Sequence, residues 1–225
     1  MKLTIFNGSP KLQRGNTDVM LEHFTAGFHR ESGNEFQIFK LNQFASPAEA
    51  VRRFEEAELV LLAFPLYTYA MPGGVKSFIE TLQPLCGKCS DKKLAFLVQY
   101  GFREAIHARP LEKYLVTVSR ILGCEYLGTI IKGGCDGLAA GRGNGNKGTL
   151  KGIYNIGVSF GKTGLLNPDE LAAYSAPEFE KQHSRFIMNI ILKLINRFYW
   201  GAALKKNGVT IAESYAKPYE DERRG

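Results

Sequence analysis

The sequence predicts an α/β protein built on a doubly wound, five-stranded parallel sheet, followed by an additional C-terminal helix. Three observations predict it. Short β-rich runs alternate with segments of helical period, the pattern of parallel strands joined by crossover helices. The third run, Glu58 to Phe64, is nearly continuous Leu and Val, as a strand covered on both faces should be. The 225 residues, 44% hydrophobic and 23% charged, match ordinary globular usage and suffice to bury a large core.

The five runs are Lys2 to Phe6, Glu35 to Leu41, Glu58 to Phe64, Lys93 to Tyr100 and Tyr126 to Lys132. Between them, Met20, Leu21, Phe24 and Phe28 recur at helical spacing, as do Val75, Phe78, Ile79 and Leu82, and then Leu111, Leu115, Val118 and Leu122. Each stripe can pack on the sheet. The glycine-rich stretch Gly133 to Gly148 reads as a mobile loop, and no repeat of solenoid length is evident.

Pro177 to Leu204 reads as one long helix, so residues 1–225 form a single domain with 177–225 as a C-terminal helical extension. Arg185, Asn189, Lys193, Asn196 and Arg197 share a narrow stripe of that helix. Phe186, Ile187, Ile190, Ile191, Leu194, Ile195, Phe198 and Tyr199 cover most of the rest. Three readings stay open: a helix packed across its own domain, a subunit interface, or a basic helix on a membrane surface. A homodimer or higher oligomer is expected.

With 29 basic and 22 acidic residues the chain carries a formal charge of +7, which attracts anionic ligands without selecting one. No recognition motif accompanies the charge, so no nucleic-acid partner is expected. Cys86, Cys89, Cys124 and Cys135 are too few for a disulfide framework and fit a reducing compartment. The chain enters a strand at Lys2, which leaves no room for a secretory leader, and its apolar stretches fall short of a transmembrane segment. A cytoplasmic protein is expected.

Ligands of an open α/β sheet bind at the carboxyl ends of its strands. The first such loop is Asn7-Gly8-Ser9-Pro10-Lys11-Leu12-Gln13-Arg14-Gly15-Asn16-Thr17. Its glycines allow unusual dihedrals, its hydroxyl and amide side chains can donate, and Asn16 or Thr17 can cap a helix whose free N–H groups favour an anion. The loop suits a phosphate, with Lys11 and Arg14 adding positive charge. It lacks both Gly-x-Gly-x-x-Gly and Gly-x-x-x-x-Gly-Lys-Ser/Thr, against a dinucleotide Rossmann site and a P-loop NTPase.

Gly8-Ser9-Pro10-Lys11 followed by Gly15-Asn16-Thr17 resembles the phosphate loop of the flavodoxin-like NAD(P)H-dependent FMN reductases and quinone reductases, in the branch related to iron–sulfur flavoproteins. The resemblance implies the strand order 2-1-3-4-5 and bound FMN, with phosphate contacts from Ser9, Lys11, Asn16 and Thr17. That family more often has Arg where Lys11 stands, and a Lys offers a point charge rather than a two-pronged fork.

Phe64-Pro65-Leu66-Tyr67-Thr68-Tyr69-Ala70-Met71-Pro72-Gly73-Gly74 resembles the family's second flavin loop, which implies contacts from Pro65, Leu66, Tyr67 and Thr68, with Tyr67 against the ring. Gln99-Tyr100-Gly101-Phe102-Arg103-Glu104-Ala105 resembles the third, which implies backbone contacts from Tyr100, Gly101 and Phe102 to the isoalloxazine. Arg103 reads either as a contact to a nicotinamide dinucleotide phosphate or as a solvated charge.

The iron–sulfur branch carries clustered cysteines ahead of the third strand, where this chain has Leu41-Asn42-Gln43-Phe44-Ala45-Ser46-Pro47, so no cluster is expected. Cys86 and Cys89 follow the third helix and read as a loop pair without function, with a thiol switch or half a metal site as the alternatives. His23, His29, His107 and His183 form no ligand-spaced pair and read as helix-surface residues. The resemblance implies hydride transfer from NADH or NADPH through FMN to a small-molecule acceptor: a quinone, flavin, nitro or azo compound. The alternative is an electron carrier that binds FMN without a nicotinamide site, against which the basic charge and the additional helix argue.

Overall fold

The computed structural model describes residues 1–141, 146–180, 189 and 192–217. The chain divides into two compact units, Met1–Glu180 and Lys181–Gly225.

In the first unit, β1 (Lys2–Asn7), β2 (Glu35–Lys40), β3 (Leu59–Pro65), β4 (Lys93–Gln99) and β5 (Glu125–Lys132) form one parallel sheet in the order β2-β1-β3-β4-β5. This is the doubly wound order expected. The apolar run of β3 is buried at every position from Leu59 to Pro65, because both neighbours and both helical layers cover it.

Alternation along the strands sends residues to two cores. Phe6, Leu62, Phe64 and Phe96 pack with α2 (Pro47–Glu55), α3 (Gly73–Thr81) and α4 (Arg109–Leu122) through Phe54, Phe78 and Leu115. Leu3, Ile5, Leu61 and Leu97 face α1 (Asn16–Phe28) and α5 (Asn146–Thr163), which contribute Phe24, Phe28 and Phe160. The backbones of α1 and α5 touch. A Cβ at Gly27 would lie 2.1 Å from the Tyr154 carbonyl oxygen, and one at Gly157 2.1 Å from that of Phe24.

The helix α2 has no counterpart among the apolar stripes. Its signal is a cap: the Glu49 N–H donates to Ser46 Oγ (3.3 Å), the Ala45 N–H to Glu49 Oε2 (3.3 Å), and Pro47 occupies the first turn. The loop expected over Gly133 to Gly148 ends sooner, since α5 begins at Asn146; residues 142–145 lie outside the described part.

The helix expected from Pro177 does not start there. After α6 (Pro168–Ser175), Pro177–Glu180 is irregular, because its carbonyls are engaged elsewhere: the Ala105 N–H donates to Pro177 O (2.9 Å) and the Ile106 N–H to Glu178 O (3.3 Å). Arg109 grips the Glu178 carboxylate through Nε and Nη2 (2.8 Å for the shortest contact), and the Glu180 N–H donates to Glu104 Oε1 (3.0 Å).

Residues 181–188, 190 and 191, including Arg185, Phe186, Ile187, Ile190 and Ile191 of the expected stripes, lie outside the described residues. Within the second unit Leu192–Leu194 is α-helical, Ile195–Trp200 is a π-helical segment, and α7 (Gly201–Lys206) ends at Gly208 in the left-handed region (φ 72°). No helix among the described residues is long and apolar enough to cross a membrane.

The strap at Pro177–Glu180 carries an acid dependence. Arg109 holds the Glu178 carboxyl below the ordinary carboxylate range, and the Glu180 N–H, followed by His107, does the same for Glu104. A depressed folded value stabilises above the unfolded carboxyl pKa of about 4.3 and is lost as pH falls through the folded value. The Ala105 and Ile106 amides should therefore lose hydrogen-exchange protection below about pH 4, and Glu178→Gln should flatten that acid transition.

Candidate functional site

The loops after β1, β3, β4 and β5 meet at the carboxyl ends of the strands. Asn7 fixes the first: its Oδ1 accepts from the Ser9 N–H (2.9 Å), and its Nδ2 donates to Asp18 Oδ1 (2.9 Å). The other Asp18 oxygen accepts from the Gly15 N–H (2.7 Å), and Lys40 Nζ lies 3.1 Å from Asp18 Oδ1. One carboxylate thus closes the loop onto the first turn of α1. Helical geometry leaves the N–H groups of Asn16, Thr17 and Asp18 without intrahelical acceptors, and they add the positive end of the α1 dipole to the site.

A cavity of about 260 Å³ is lined by Ser9, Lys11, Asn16, Pro65, Leu66, Tyr67, Gln99, Tyr100, Gly101 and Asp136. It adjoins a second, about 460 Å³, that shares Leu66, Tyr67, Tyr100, Gly101 and Asp136 and adds Thr68, Tyr69, Phe102 and His107. The second cavity is of the size of a small-molecule site. A larger cavity, about 550 Å³, opens at the other end of the sheet between Lys2, Gln37, Arg53 and Lys93, and includes none of the expected residues.

Ten of the eleven expected site residues therefore line these two cavities. Thr17 does not: it is buried, and its Oγ1 accepts from Gln99 Nε2 (3.2 Å). The Asn16 amide is engaged with the loop after β5, donating to Cys135 O (2.8 Å) and accepting from the Ala139 N–H (2.9 Å). Arg14 turns onto Glu22 through two hydrogen bonds (2.8 and 2.6 Å), and Arg103 lies 3.0 Å from Glu180. Of the charges expected at the phosphate loop, Lys11 alone lines the cavity.

The second loop makes a tight hairpin in which the Tyr67 N–H donates to Ala70 O (2.8 Å) and the Ala70 N–H to Tyr67 O (3.0 Å). Its central residues have positive φ, 49° at Thr68 and 64° at Tyr69. Such a turn ordinarily uses Asn or Gly, and a β-branched Thr there is strained. The turn holds Tyr67 and Tyr69 exposed at the cavity mouth. Thr68→Gly should relieve about 1 kcal/mol net of the added chain entropy, raising the thermal midpoint by about 2–4 °C in a calorimeter.

In the third loop the Tyr100 N–H donates to Lys132 O (3.1 Å) and its carbonyl accepts from the Cys135 N–H (2.9 Å), so the Tyr100 backbone is engaged with the end of β5 and the loop after it. Burial pushes the Tyr100 phenol up to about 12, and the hydroxyl remains a donor to Glu104 O (2.9 Å). The Gly101 and Phe102 N–H groups have no acceptor among the described residues. A Cβ on Gly101 would lie 2.5 Å from Asp136 Oδ2, so glycine lets that carboxylate reach the cavity.

Asp136 and His107 are site residues that motif reading missed. His107 packs between Tyr69 (5.3 Å between centroids) and Phe102 (5.0 Å), with Nε2 3.2 Å from Glu104 Oε2. The cysteines lie outside both cavities and form no disulfide. Burial raises the Cys89 thiol and pushes Cys124 and Cys135 up to about 12, which makes them poor nucleophiles.

A family model described as the flavodoxin-like fold, Flavodoxin_2, matches residues 1–144. The chain belongs to this family. Flavodoxin_2 is a family of flavoprotein oxidoreductases that includes NAD(P)H quinone and azo reductases. Among solved structures, the NAD(P)H:quinone oxidoreductase from Methanothermobacter marburgensis is similar with a TM-score of 0.57 at 16% identity, covering 71% of this chain and 98% of that one. The azoreductase from Bacillus anthracis str. Sterne gives 0.52 at 15%, covering 77% and 98%. The Trp repressor binding protein from Bacillus subtilis gives 0.53 at 17%, covering 68% and 98%. At these identities the likeness to each structure is one of fold. No curated protein matches the chain.

Proposed function

We propose that this Flavodoxin_2 protein is an NAD(P)H-dependent FMN oxidoreductase of the cytoplasm that reduces a quinone, flavin, nitro or azo acceptor. The observation that carries the reading is that loops after β1, β3 and β4 converge on two adjoining cavities at the carboxyl ends of the strands. When bound, FMN supplies the chemistry, taking hydride from NADH or NADPH and passing it to the acceptor.

The residues fit that group. The N–H groups of the first turn of α1, the Ser9 hydroxyl and the Lys11 ammonium would hold a phosphate, and the Asp18 carboxylate keeps the loop closed around it. Tyr67 and Leu66 would cover a flat ring, while the unengaged N–H groups of Gly101 and Phe102 would meet its polar edge. Tyr69, Phe102 and His107 line the outer cavity, where a planar acceptor can stack and exclude water.

Titration of FMN should quench its fluorescence at micromolar protein, and riboflavin, which lacks the phosphate, should bind at least about 10-fold more weakly. The loaded protein should oxidise NADH or NADPH when a quinone is supplied. Unquenched FMN would refute the cofactor site. Binding without nicotinamide oxidation would identify an electron carrier instead.

A further inference from the structure

We infer that residues 192–206 are a docking surface for an anionic lipid bilayer, on which the segment lies without crossing it. Charge selects this occupant. Residues 181–225 are a fifth of the chain yet hold nine of its 29 basic and four of its 22 acidic residues, so +5 of the formal +7. Three of those acids, Glu220, Asp221 and Glu222, come after Lys217. Between residues 192 and 217, Lys193, Arg197, Lys205, Lys206 and Lys217 stand against Glu213 alone, and its carboxylate is turned onto the Thr210 N–H and hydroxyl (2.7 Å each). A basic excess concentrated in this way is the electrostatic footprint of an anionic membrane surface.

The same segment holds large apolar side chains in water. Leu192, Leu194, Ile195, Phe198, Tyr199 and Trp200 are between 40% and 67% exposed. Lys193 and Arg197 are one turn apart, so their charges form a row. The π-helical turn decides where the aromatic residues fall. Its bonds run from i to i+5, as in the Gly201 N–H donating to Asn196 O, so it rotates less per residue than an α-helix. That carries Trp200 round to the side of Ile195, whereas an α-helical turn would set it beside Lys193. Tyr199 and Trp200, edge to face with ring centroids 5.3 Å apart, are of the types that favour the boundary between lipid tails and headgroups.

Of the three coverings open to this segment, only the bilayer uses both features. Residues 1–180 are themselves net +2, so packing on them, or on a second copy, brings like charge to like. A lipid surface takes the apolar side into its headgroup boundary while the ammonium and guanidinium groups stay among the phosphates. Nothing in this contact depends on the flavin site.

The full chain should cosediment with phosphatidylcholine vesicles containing about one-third phosphatidylglycerol, should ignore phosphatidylcholine alone, and should bind at least about 10-fold more weakly in 0.5 M salt than at low salt. Trp200 is the only tryptophan, so its emission reports this segment directly. It should shift to the blue on the anionic vesicles and be quenched by lipids brominated on their acyl chains. Lys193→Glu with Arg197→Glu should weaken binding at least about 25-fold, about 5-fold for each charge lost, with an unchanged circular dichroism spectrum. Several results would overturn the inference: no cosedimentation, cosedimentation without quenching of Trp200, or binding that the double variant retains. A Trp200 emission already blue and indifferent to vesicles would mean that its own domain or a second copy covers it. A response to soluble polyphosphate as large as that to vesicles would reduce the segment to a general polyanion site. The quenching is read on the unaltered protein, so it decides the case even where the double variant fails to fold.

Discussion

Gly157→Ala is expected to lower the thermal midpoint by about 6–12 °C, a loss of roughly 3 kcal/mol at about 2–4 °C per kcal/mol. The added methyl would sit 2.1 Å from the Phe24 carbonyl oxygen and 3.1 Å from the Phe28 nitrogen, both backbone atoms of α1 that cannot rotate away. Alanine's better helix propensity returns only about 1 kcal/mol. Gly27→Ala makes the reciprocal clash, 2.1 Å from Tyr154 O, so the double variant should cost less than the sum of the singles once the helices have moved apart. Calorimetry of the four proteins in this cycle checks it. Because α1 starts at the Ser9 to Thr17 loop, the single variants should also weaken FMN binding without touching the cavity.

Ser9→Asp is expected to weaken FMN binding at least about 100-fold, roughly 3 kcal/mol, while leaving the unliganded fold as stable or slightly more so. Ser9 lines the same cavity as Asn16, the first residue of α1, so a carboxylate at residue 9 lies toward the positive end of the helix dipole. The same carboxylate repels a phosphate at that place. Fluorescence titration reads the loss and thermal melting of the ligand-free protein reads the opposite sign. A variant that simply misfolds would lower both.

The parts of the fold readable in the sequence are those in which burial is continuous or periodic. Leu59 to Phe64 announces the central strand because every side chain there is apolar, and Leu111, Leu115, Val118 and Leu122 mark α4 because one face alone is buried. The helix α2 escaped that test, since only Ala50 and Phe54 of its nine residues are buried; the Ser46-Pro47-Ala48-Glu49 cap was its readable signal. Pro177 looked like a helix start, but tertiary hydrogen bonds from Ala105 and Ile106 to the carbonyls of Pro177 and Glu178 keep the segment out of a helix.

The site divides in the same way. The loops after β1, β3 and β4 were legible because motif and topology coincide in each. What escaped depends on contacts between remote segments. Asp136 enters the cavity only because Gly101 lacks a Cβ, and Thr17 is turned inward by Gln99. His107 belongs to an aromatic group that no spacing encodes, assembled from Tyr69 and Phe102.

The Asn16 amide, clamped at once to Cys135 O and to the Ala139 N–H, ties the start of the chain to a point more than a hundred residues later. A polypeptide still emerging from the ribosome cannot close that clamp until Ala139 has cleared the exit tunnel. The wall of the cavity is therefore completed late, and a translation product arrested after β4 leaves it unfinished.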